Sequence, residues 1–273
     1  MTKCHLFFLC ALVALLAGCK KPAPGPSLSE YGAQTLQGQA ALFEQYVLEL
    51  ATLPTEAALQ RQEETLREAE ADSAHWQQVM TLQEKFLLDP NSPYRSEELY
   101  LPVAEHLLGS PLASDAQRER ARWLLPRLRL NRLGTVANDF PFTLRNGRET
   151  TLHATIDRLH PRRTLLFFSN PGCPNCKEIT EALADDPEIS AQIADGSLLV
   201  VNVYPDEDLE AWYDYLPNYP DAWVCGYDPA QNLHSDTLYW VRAIPSLYLL
   251  DEEKRVVRKD APLEVILIDG KQR

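Results

Sequence analysis

Apolar positions in the first half of the chain recur at helical spacing. Five of them follow one another at steps of three and four residues: Leu36, Ala40, Phe43, Val47 and Leu50. That spacing places them on one face of a helix. The same reasoning predicts three further helices, over residues 55–87, 97–108 and 115–127. We therefore expect an all-α helical domain over residues 31–130.

After residue 131 the pattern becomes one of strands that alternate with helices. Two short segments flank Asn146-Gly147, which predicts a β-hairpin over residues 140–152. Other predicted elements are buried strands at 164–169 and 197–204, helices at 175–183 and 207–216, and a closing hairpin over 246–258. This alternation predicts an α/β domain over residues 131–273, with a mixed central sheet flanked by helices.

The first residues have the pattern of a targeting signal. Lys3 precedes an apolar run over residues 6–17, which is too short to span a bilayer comfortably. The run ends in Leu16-Ala17-Gly18-Cys19, which resembles the lipobox of bacterial lipoproteins and implies cleavage before Cys19 and acylation of its thiol. The alternative is an ordinary secretory signal followed by an incidental cysteine. On the lipoprotein interpretation, residues 1–18 are the signal peptide and residues 19–30 a Pro-rich tether, and Lys20 favours the outer membrane of a Gram-negative cell.

Length and charge limit the classes of protein that remain. A chain of 273 residues is long enough for about two domains. Its formal charge of −13 excludes a general nucleic-acid binder, because phosphate contacts require a surface rich in Lys and Arg. Cys4 and Cys10 leave with the signal peptide. With Cys19 lipidated, the possible thiols are Cys173, Cys176 and Cys225, too few for a disulfide scaffold.

The segment SNPGCPNCKEI, residues 169–179, places two cysteines three positions apart. They are candidates for a structural disulfide, for half of a metal site or for a redox centre. A zinc site needs four ligands, and His153, His160 and His234 would contribute only by a coincidence of the fold. The redox interpretation is favoured, because Cys173 follows a buried strand and lies at the start of a helix. Unpaired N–H groups and the helix dipole there stabilise a thiolate.

In this interpretation the two sulfurs have different roles. Cys173 is the attacking sulfur, since its pKa should be lowered at the helix start. Cys176 lies one helical turn further and is close enough to form the disulfide that releases a captured partner. Pro174 suits the first turn, where its missing N–H costs nothing.

Residues 134–262 resemble the thioredoxin superfamily, specifically its TlpA-like, membrane-tethered branch. The resemblance depends on the strand-CxxC-helix unit, on the strand at residues 198–204 and on Arg242-Ala-Ile-Pro-Ser-Leu-Tyr-Leu-Leu-Asp251. It implies a thioredoxin-like α/β fold, with a helix and a strand inserted within residues 206–228. It also implies that Pro245 follows a cis peptide bond beside the disulfide, which suits proline. Ile244 would then present its backbone to an extended substrate, next to Pro174 and Asn175.

The sequence also departs from that family. Thioredoxins often bury an acid six positions before the first cysteine, where this chain has Phe167. A proton would then come from water or from Glu178, Asp206 or Asp228, among which the sequence does not choose. The dipeptide between the cysteines is Pro-Asn rather than Gly-Pro, so a redox potential cannot be inherited. The short tail after Pro262 predicts a truncated closing helix.

Several other residues have simpler expected roles. Cys225 is interpreted as a small buried apolar side chain, with a third redox partner as the alternative. His75 and His106 are isolated and are expected to have surface or packing roles. Four of the tryptophans are expected in the core or at its rim: Trp76 and Trp123 as core anchors, and Trp212 and Trp240 on helices. Trp223 is expected either to line the groove near the site or to pack in the core.

The favoured function is a membrane-anchored thiol–disulfide oxidoreductase that acts on exported proteins, with reduction as the favoured direction. It would need no cofactor beyond its own disulfide, but it would need protein disulfide or dithiol substrates and a separate redox partner. The alternative is a lipid-tethered binding or assembly module in which the helical domain is the working part. That helical domain resembles helical domains of unknown function that precede thioredoxin-like domains in some bacterial lipoproteins.

Overall fold

The computed structural model of the chain describes residues 36–235 and 237–270. The predicted signal peptide, the tether and Cys19 lie outside the described residues. We refer to residues 36–130 as the helical half and to residues 131–270 as the C-terminal half. Within the described residues, no helix combines the length and the apolar character needed to cross a membrane.

The helical half consists of α-helices and one π-helical turn. The helices are α1 (Leu36–Thr52), α2 (Thr55–Ala69), α3 (Ser73–Gln83), α4 (Glu97–Gly109) and α5 (Asp115–Leu128), with the π-helical turn at Glu84–Leu88. The expected single helix over residues 55–87 is wrong. It is divided because Asp72 caps a new helix, its carboxylate accepting a hydrogen bond from the Ala74 N–H at 2.9 Å.

The core of the helical half forms where the predicted apolar face of α1 meets its neighbours. Phe43, Val47 and Leu50 are buried in that core, as their spacing predicted. Trp76 is buried there as well, but Trp123 is half exposed, so its assignment as a core anchor is wrong. Trp240 also belongs to this core although it comes from the C-terminal half, and it lies outside any helix. The two halves therefore share a core residue.

The C-terminal half is an α/β unit. Its strands are β1 (Pro141–Leu144), β2 (Glu149–Thr151), β3 (Arg163–Phe168), β4 (Leu198–Tyr204), β5 (Val224–Tyr227), β6 (Ser246–Asp251) and β7 (Val256–Arg258). Its helices are α6 (Leu152–Leu159), α7 (Pro174–Asp185), α8 (Pro187–Asp195), α9 (Leu209–Tyr215) and α10 (Leu263–Gly270).

The described strands form one mixed sheet in the order β2-β1-β5-β4-β3-β6-β7. β3, β4 and β5 run parallel, and the remaining pairs are antiparallel. β3 is buried on both faces: Leu166 and Phe168 join one core, whereas Leu165 and Phe167 join the core beneath α7. The continuous apolar run in the sequence corresponds to this central position.

Several boundaries differ from the sequence-based prediction. The hairpin forms around Asn146-Gly147, with Gly147 in the left-handed region at φ 78°, but its second strand ends at Thr151. There the Thr151 hydroxyl accepts a hydrogen bond from the Ala154 N–H at 3.1 Å and starts α6, which the sequence analysis missed. α8 was missed too. Asp208 caps α9, so that helix begins at Leu209 rather than at residue 207.

Candidate active site

The CxxC motif lies where β3 leaves the sheet and α7 begins. Gly172 adopts φ 78°, a conformation that side chains other than glycine rarely accept, and turns the chain into the helix. Cys173 is the N-cap residue of α7, and its Sγ accepts a hydrogen bond from the Cys176 N–H at 3.2 Å. Pro174 occupies the first helical turn. The Cys173 sulfur therefore lies at the N-terminus of α7, beside the backbone N–H groups of its first turn.

The two cysteines form a disulfide with their Cα atoms 5.3 Å apart. Cys173 is partly exposed, whereas Cys176 is 3% exposed and packs in the core beneath α7. Pro174 and Asn175 between them are exposed. An incoming thiol or disulfide therefore meets Cys173 first, with the exposed Pro-Asn dipeptide beside it.

The loop before β6 lies against this disulfide. The peptide bond between Ile244 and Pro245 is cis. The Ile244 carbonyl oxygen lies 3.9 Å from the Cys173 Sγ, and both residues of the loop are partly exposed. The structure thus brings together the residues that the sequence assigned to the site: Cys173, Cys176, Ile244 and Pro245.

The position expected to hold a buried acid is apolar in this chain. Phe167 is fully buried there and contacts Trp223 edge to face. Of the acids considered from the sequence, Asp206 is connected to the motif through Asn170, which donates a hydrogen bond to its carboxylate. The Asn170 carbonyl in turn accepts a hydrogen bond from the Cys173 N–H at 3.2 Å.

The other two candidate acids have different surroundings. Asp228 is buried, and its carboxylate accepts hydrogen bonds from the Leu233 N–H at 2.8 Å and from Asn232 at 3.1 Å. These contacts give it a structural role in the turn after β5. Glu178 is exposed on the first half of α7.

Comparison with known proteins gives matches to both halves of the chain. Residues 33–131 match the family described as "Domain of unknown function (DUF5106)". The crystal structure of a thioredoxin-like protein from Bacteroides caccae is 34% identical. The match covers 86% of this chain and 83% of that one, with a TM-score of 0.77.

This chain belongs to the thioredoxin superfamily. Curated relatives of the C-terminal part are the nucleoredoxin of Danio rerio, 26% identical over 123 residues, and a probable nucleoredoxin of Arabidopsis thaliana, 30% identical over 129 residues. The match spans only 28% and 21% of those two proteins, respectively. The family membership establishes the thioredoxin-like fold of the C-terminal half, preceded by a helical region of unknown function.

A chain of buried polar side chains beneath the thioredoxin-like site was missed by the sequence analysis. Asn202 on β4 donates to the Ser169 hydroxyl at 2.7 Å, and the Ser169 and Tyr219 hydroxyls lie 2.8 Å apart. Burial raises the pKa of Tyr219 to about 12. The visible signal was Asn202, a polar residue within the otherwise apolar strand LLVVNVY. Its partners come from distant segments, so spacing could not reveal them.

Cys225 lies on β5 opposite Asn202 and is buried. It is free, since Cys173 and Cys176 pair with each other. Burial raises the pKa of its thiol to about 11. This environment matches a small buried apolar side chain and disfavours a thiolate.

Of the histidines considered as metal ligands, His153 contacts a backbone carbonyl. The His153 Nε2 lies 2.8 Å from the Ala137 carbonyl oxygen, and the His234 side chain lies outside the described residues. Over residues 36–235 and 237–270, no group of three or more His, Cys, Asp or Glu side chains is placed to hold a metal ion.

Proposed function

We propose that this protein is a membrane-anchored thiol–disulfide oxidoreductase of the TlpA-like branch that acts on exported proteins. The observation that carries the proposal is the position of Cys173. Cys173 is partly exposed, and its Sγ caps α7 and lies 3.9 Å from the Ile244 carbonyl oxygen. Helix N–H groups favour the charged form of such a sulfur once the disulfide is reduced.

The proposed reaction is reduction of a substrate disulfide. The Cys173 thiolate attacks one substrate sulfur, so that a mixed disulfide forms, the substrate S–S bond breaks and one substrate thiolate leaves to take a proton from water or a nearby acid. Cys176 then loses its proton and attacks the Cys173 sulfur, which forms the Cys173–Cys176 disulfide and releases the second substrate thiol. Two electrons pass to the substrate in this reaction. A separate dithiol partner protein must then reduce the Cys173–Cys176 disulfide to restore the active form.

Roles at the binding edge follow from the same geometry. Ile244 would offer its backbone to the substrate, and Pro245 would shape the edge beside the disulfide. The exposed Pro174 and Asn175 would contact the residues that flank the substrate cysteine. No cofactor is needed, because the cysteine pair itself carries the electrons.

Anchoring and location rest on the sequence. The Leu16-Ala17-Gly18-Cys19 motif supports lipidation at Cys19, and Lys20 supports the outer membrane of a Gram-negative cell. A lipid anchor would keep the folded part at the membrane surface, facing the periplasm or the cell exterior. Protein disulfides are common in such compartments.

Trapping of mixed disulfides tests the catalytic roles. In cells, Cys176→Ser should accumulate proteins joined covalently to Cys173, because the step that releases them is lost. The complexes should appear on non-reducing gels and disappear on reduction. The matched control is Cys173→Ala/Cys176→Ser, which lacks the attacking sulfur. Equal recovery of complexes from both variants, or none from either, would refute the proposed roles.

A second candidate function is supported by a groove between the halves. It has a volume of about 710 Å³ and is lined by residues of both, including Arg120 and Trp123 on α5 and Trp240 and Arg242 before β6. Such a groove suits a tethered binding or assembly module in which the thioredoxin-like half is a scaffold. A cellular phenotype of gene loss that Cys173→Ala fully complements would favour this function over the redox one.

A further inference from the structure

Five charged side chains form a buried ion network between the two halves. Arg95 and Glu97 come from the helical half, and Arg242, Lys259 and Asp260 from the C-terminal half. Glu97 contacts two cations: its Oε1 lies 3.2 Å from the Arg242 Nε and its Oε2 lies 2.7 Å from the Lys259 Nζ. Asp260 Oδ2 lies 2.9 Å from the Arg242 Nη2 and 3.7 Å from the Arg95 Nε.

The network is deeply buried. The side chains of Glu97, Lys259 and Arg242 are 1%, 3% and 8% exposed. Backbone carbonyls of the helical half complete it, since Arg242 donates to the Leu88 oxygen and Lys259 to the Leu128 oxygen at 2.9 Å. Taking charges out of water costs several kcal/mol per ion, and an apolar contact of equal volume is often as stable. Stability alone is therefore a weak reason for this arrangement.

The network also contacts the loop at the candidate active site. Asp260 binds that loop at two points: Arg242 lies two residues before Ile244, and the Ser246 hydroxyl donates to Asp260 Oδ1 at 2.8 Å. The segment held between these two points contains the Ile244 carbonyl, 3.9 Å from the Cys173 Sγ. Contacts of the helical half with Arg242 therefore bear on the position of the loop.

Glu97 is the side chain through which the helical half acts most directly. It is the first residue of α4, whose start is fixed by the Ser96 hydroxyl accepting from the Leu99 N–H at 3.3 Å. Its carboxylate holds the Nε side of the Arg242 guanidinium, while Asp260 holds the Nη2 atom. With both carboxylates in place, the planar guanidinium is fixed in direction.

We propose that Glu97 is a positioning residue which, through Arg242, fixes the Ile244–Pro245 loop against the cysteine pair and so sets affinity for protein disulfide substrates. This inference rests on the proposed oxidoreductase function. In this inference, the helical half holds the Ile244–Pro245 loop in position for substrate binding.

The test compares Glu97→Gln with Glu98→Gln in the full chain. Both residues are buried at the start of α4, and both bind a cation. The cation bound by Glu98 is Arg132, whose Nε lies 3.1 Å from the Glu98 Oε1. Arg132 lies far along the chain from the loop. Glu97→Gln should shift the backbone amide NMR signals of Ala243, Ile244 and Ser246. Glu98→Gln should leave those signals as in the wild type.

Kinetics give the second readout. With dithiothreitol as reductant and insulin as the protein disulfide, Glu97→Gln should raise KM roughly tenfold with little change in kcat. Turnover of oxidised glutathione should stay near the wild-type rate, because a small disulfide makes few contacts with the loop. Glu98→Gln should leave both substrates unaffected, and Glu97→Asp, which keeps the charge, should recover part of the lost affinity.

The outcomes separate this inference from the proposed function. If Glu97→Gln changes neither the NMR signals of the loop nor KM, the network is a purely structural contact. If Glu97→Gln fails to fold, the same readouts are taken from two other variants, Glu97→Asp and Ser246→Ala. Ser246→Ala removes the hydrogen bond between the loop and Asp260 and does not touch the helical half. A wild-type protein that turns over neither disulfide overturns the proposed function, and the NMR comparison then decides the positioning role alone.

Discussion

At the residue scale, the surroundings of each sulfur determine its chemistry. Cys173 is partly exposed and caps a helix, and its Sγ accepts an N–H hydrogen bond. Cys225 is 1% exposed on a central strand, and burial raises its pKa to about 11. The helix start would favour a thiolate at position 173 once the disulfide is reduced, whereas the apolar core favours the neutral thiol at position 225.

This difference predicts how Cys225 affects stability at high pH. The ordinary pKa of a thiol is near 9, and the folded chain raises that of Cys225 to about 11. The stabilisation is therefore complete below pH 9 and is lost as pH rises through about 11, because the unfolded chain gives up its proton first. The loss should approach about 2–3 kcal/mol in the free energy of unfolding.

Urea unfolding at pH 8 and pH 11 measures that loss. The other five cysteines are replaced by serine in both proteins compared, so that no disulfide exchange occurs. The control is Cys225→Ala in this background. Its free energy of unfolding should fall at pH 11 only through other groups such as Tyr219, whose pKa burial raises to about 12. Identical losses in the two proteins would contradict the prediction.

Residues whose role depends on local geometry were predictable from the sequence. Cys173 and Cys176 were identifiable because strand exit, cysteine spacing and helix start all lie within one short segment. Residues whose role depends on partners far apart in the chain were not predictable. Glu97 and Arg242 are 3.2 Å apart in space but lie on different halves, and nothing in the spacing of either segment indicates the contact.

At the element scale, the close pairing of β5 with β1 depends on a glycine. Gly226 on β5 pairs with Leu144 on β1. A Cβ atom added at Gly226 would lie 2.5 Å from the Phe142 Cδ2 and 2.6 Å from the Thr143 carbonyl oxygen. One of these neighbours is backbone, so the overlap is not relieved by rotating a side chain. The close approach of the strands requires glycine at this position.

Gly226→Ala should therefore destabilise the fold by about 2–3 kcal/mol through overpacking. Gly109→Ala is the matched control, because an added Cβ at Gly109, the last residue of α4, has no heavy atom within 4 Å. The control should change the free energy of unfolding by less than about 0.5 kcal/mol. Urea unfolding of the two variants and the wild type checks the difference, and similar values for both variants would show that β1 moves aside freely.

The same scale shows why some elements escaped prediction. α6 and α8 are short, and each starts at a side-chain cap, Thr151 and Asp186, rather than with a long apolar period. Helices of eight or nine residues contain too few turns for periodicity to be distinct. The central strands were predictable because burial on both faces leaves an uninterrupted apolar run.

At the scale of the whole molecule, the two halves share both a core and a charge network. Trp240 comes from the C-terminal half, is 6% exposed and packs in the core of the helical half, where it meets Trp123 edge to face at 5.9 Å between ring centroids. The Arg242 guanidinium lies 4.9 Å from the Trp240 ring centroid. The core contact and the buried ion network are thus adjacent, and loss of either should weaken the other.

Trp240→Ala should consequently destabilise the helical half, although the residue lies outside it in sequence. Removal of a buried tryptophan costs about 3–5 kcal/mol, through lost apolar contact and the cavity left behind. Trp123→Ala is the matched control: the same side chain is removed from the same ring pair, but Trp123 is 50% exposed, so its loss should cost only about 1 kcal/mol. Urea unfolding followed by ellipticity at 222 nm, which is dominated by helices, measures both. If Trp240→Ala cost no more than Trp123→Ala, the shared core would contribute little, and the two halves would be stable independently of each other.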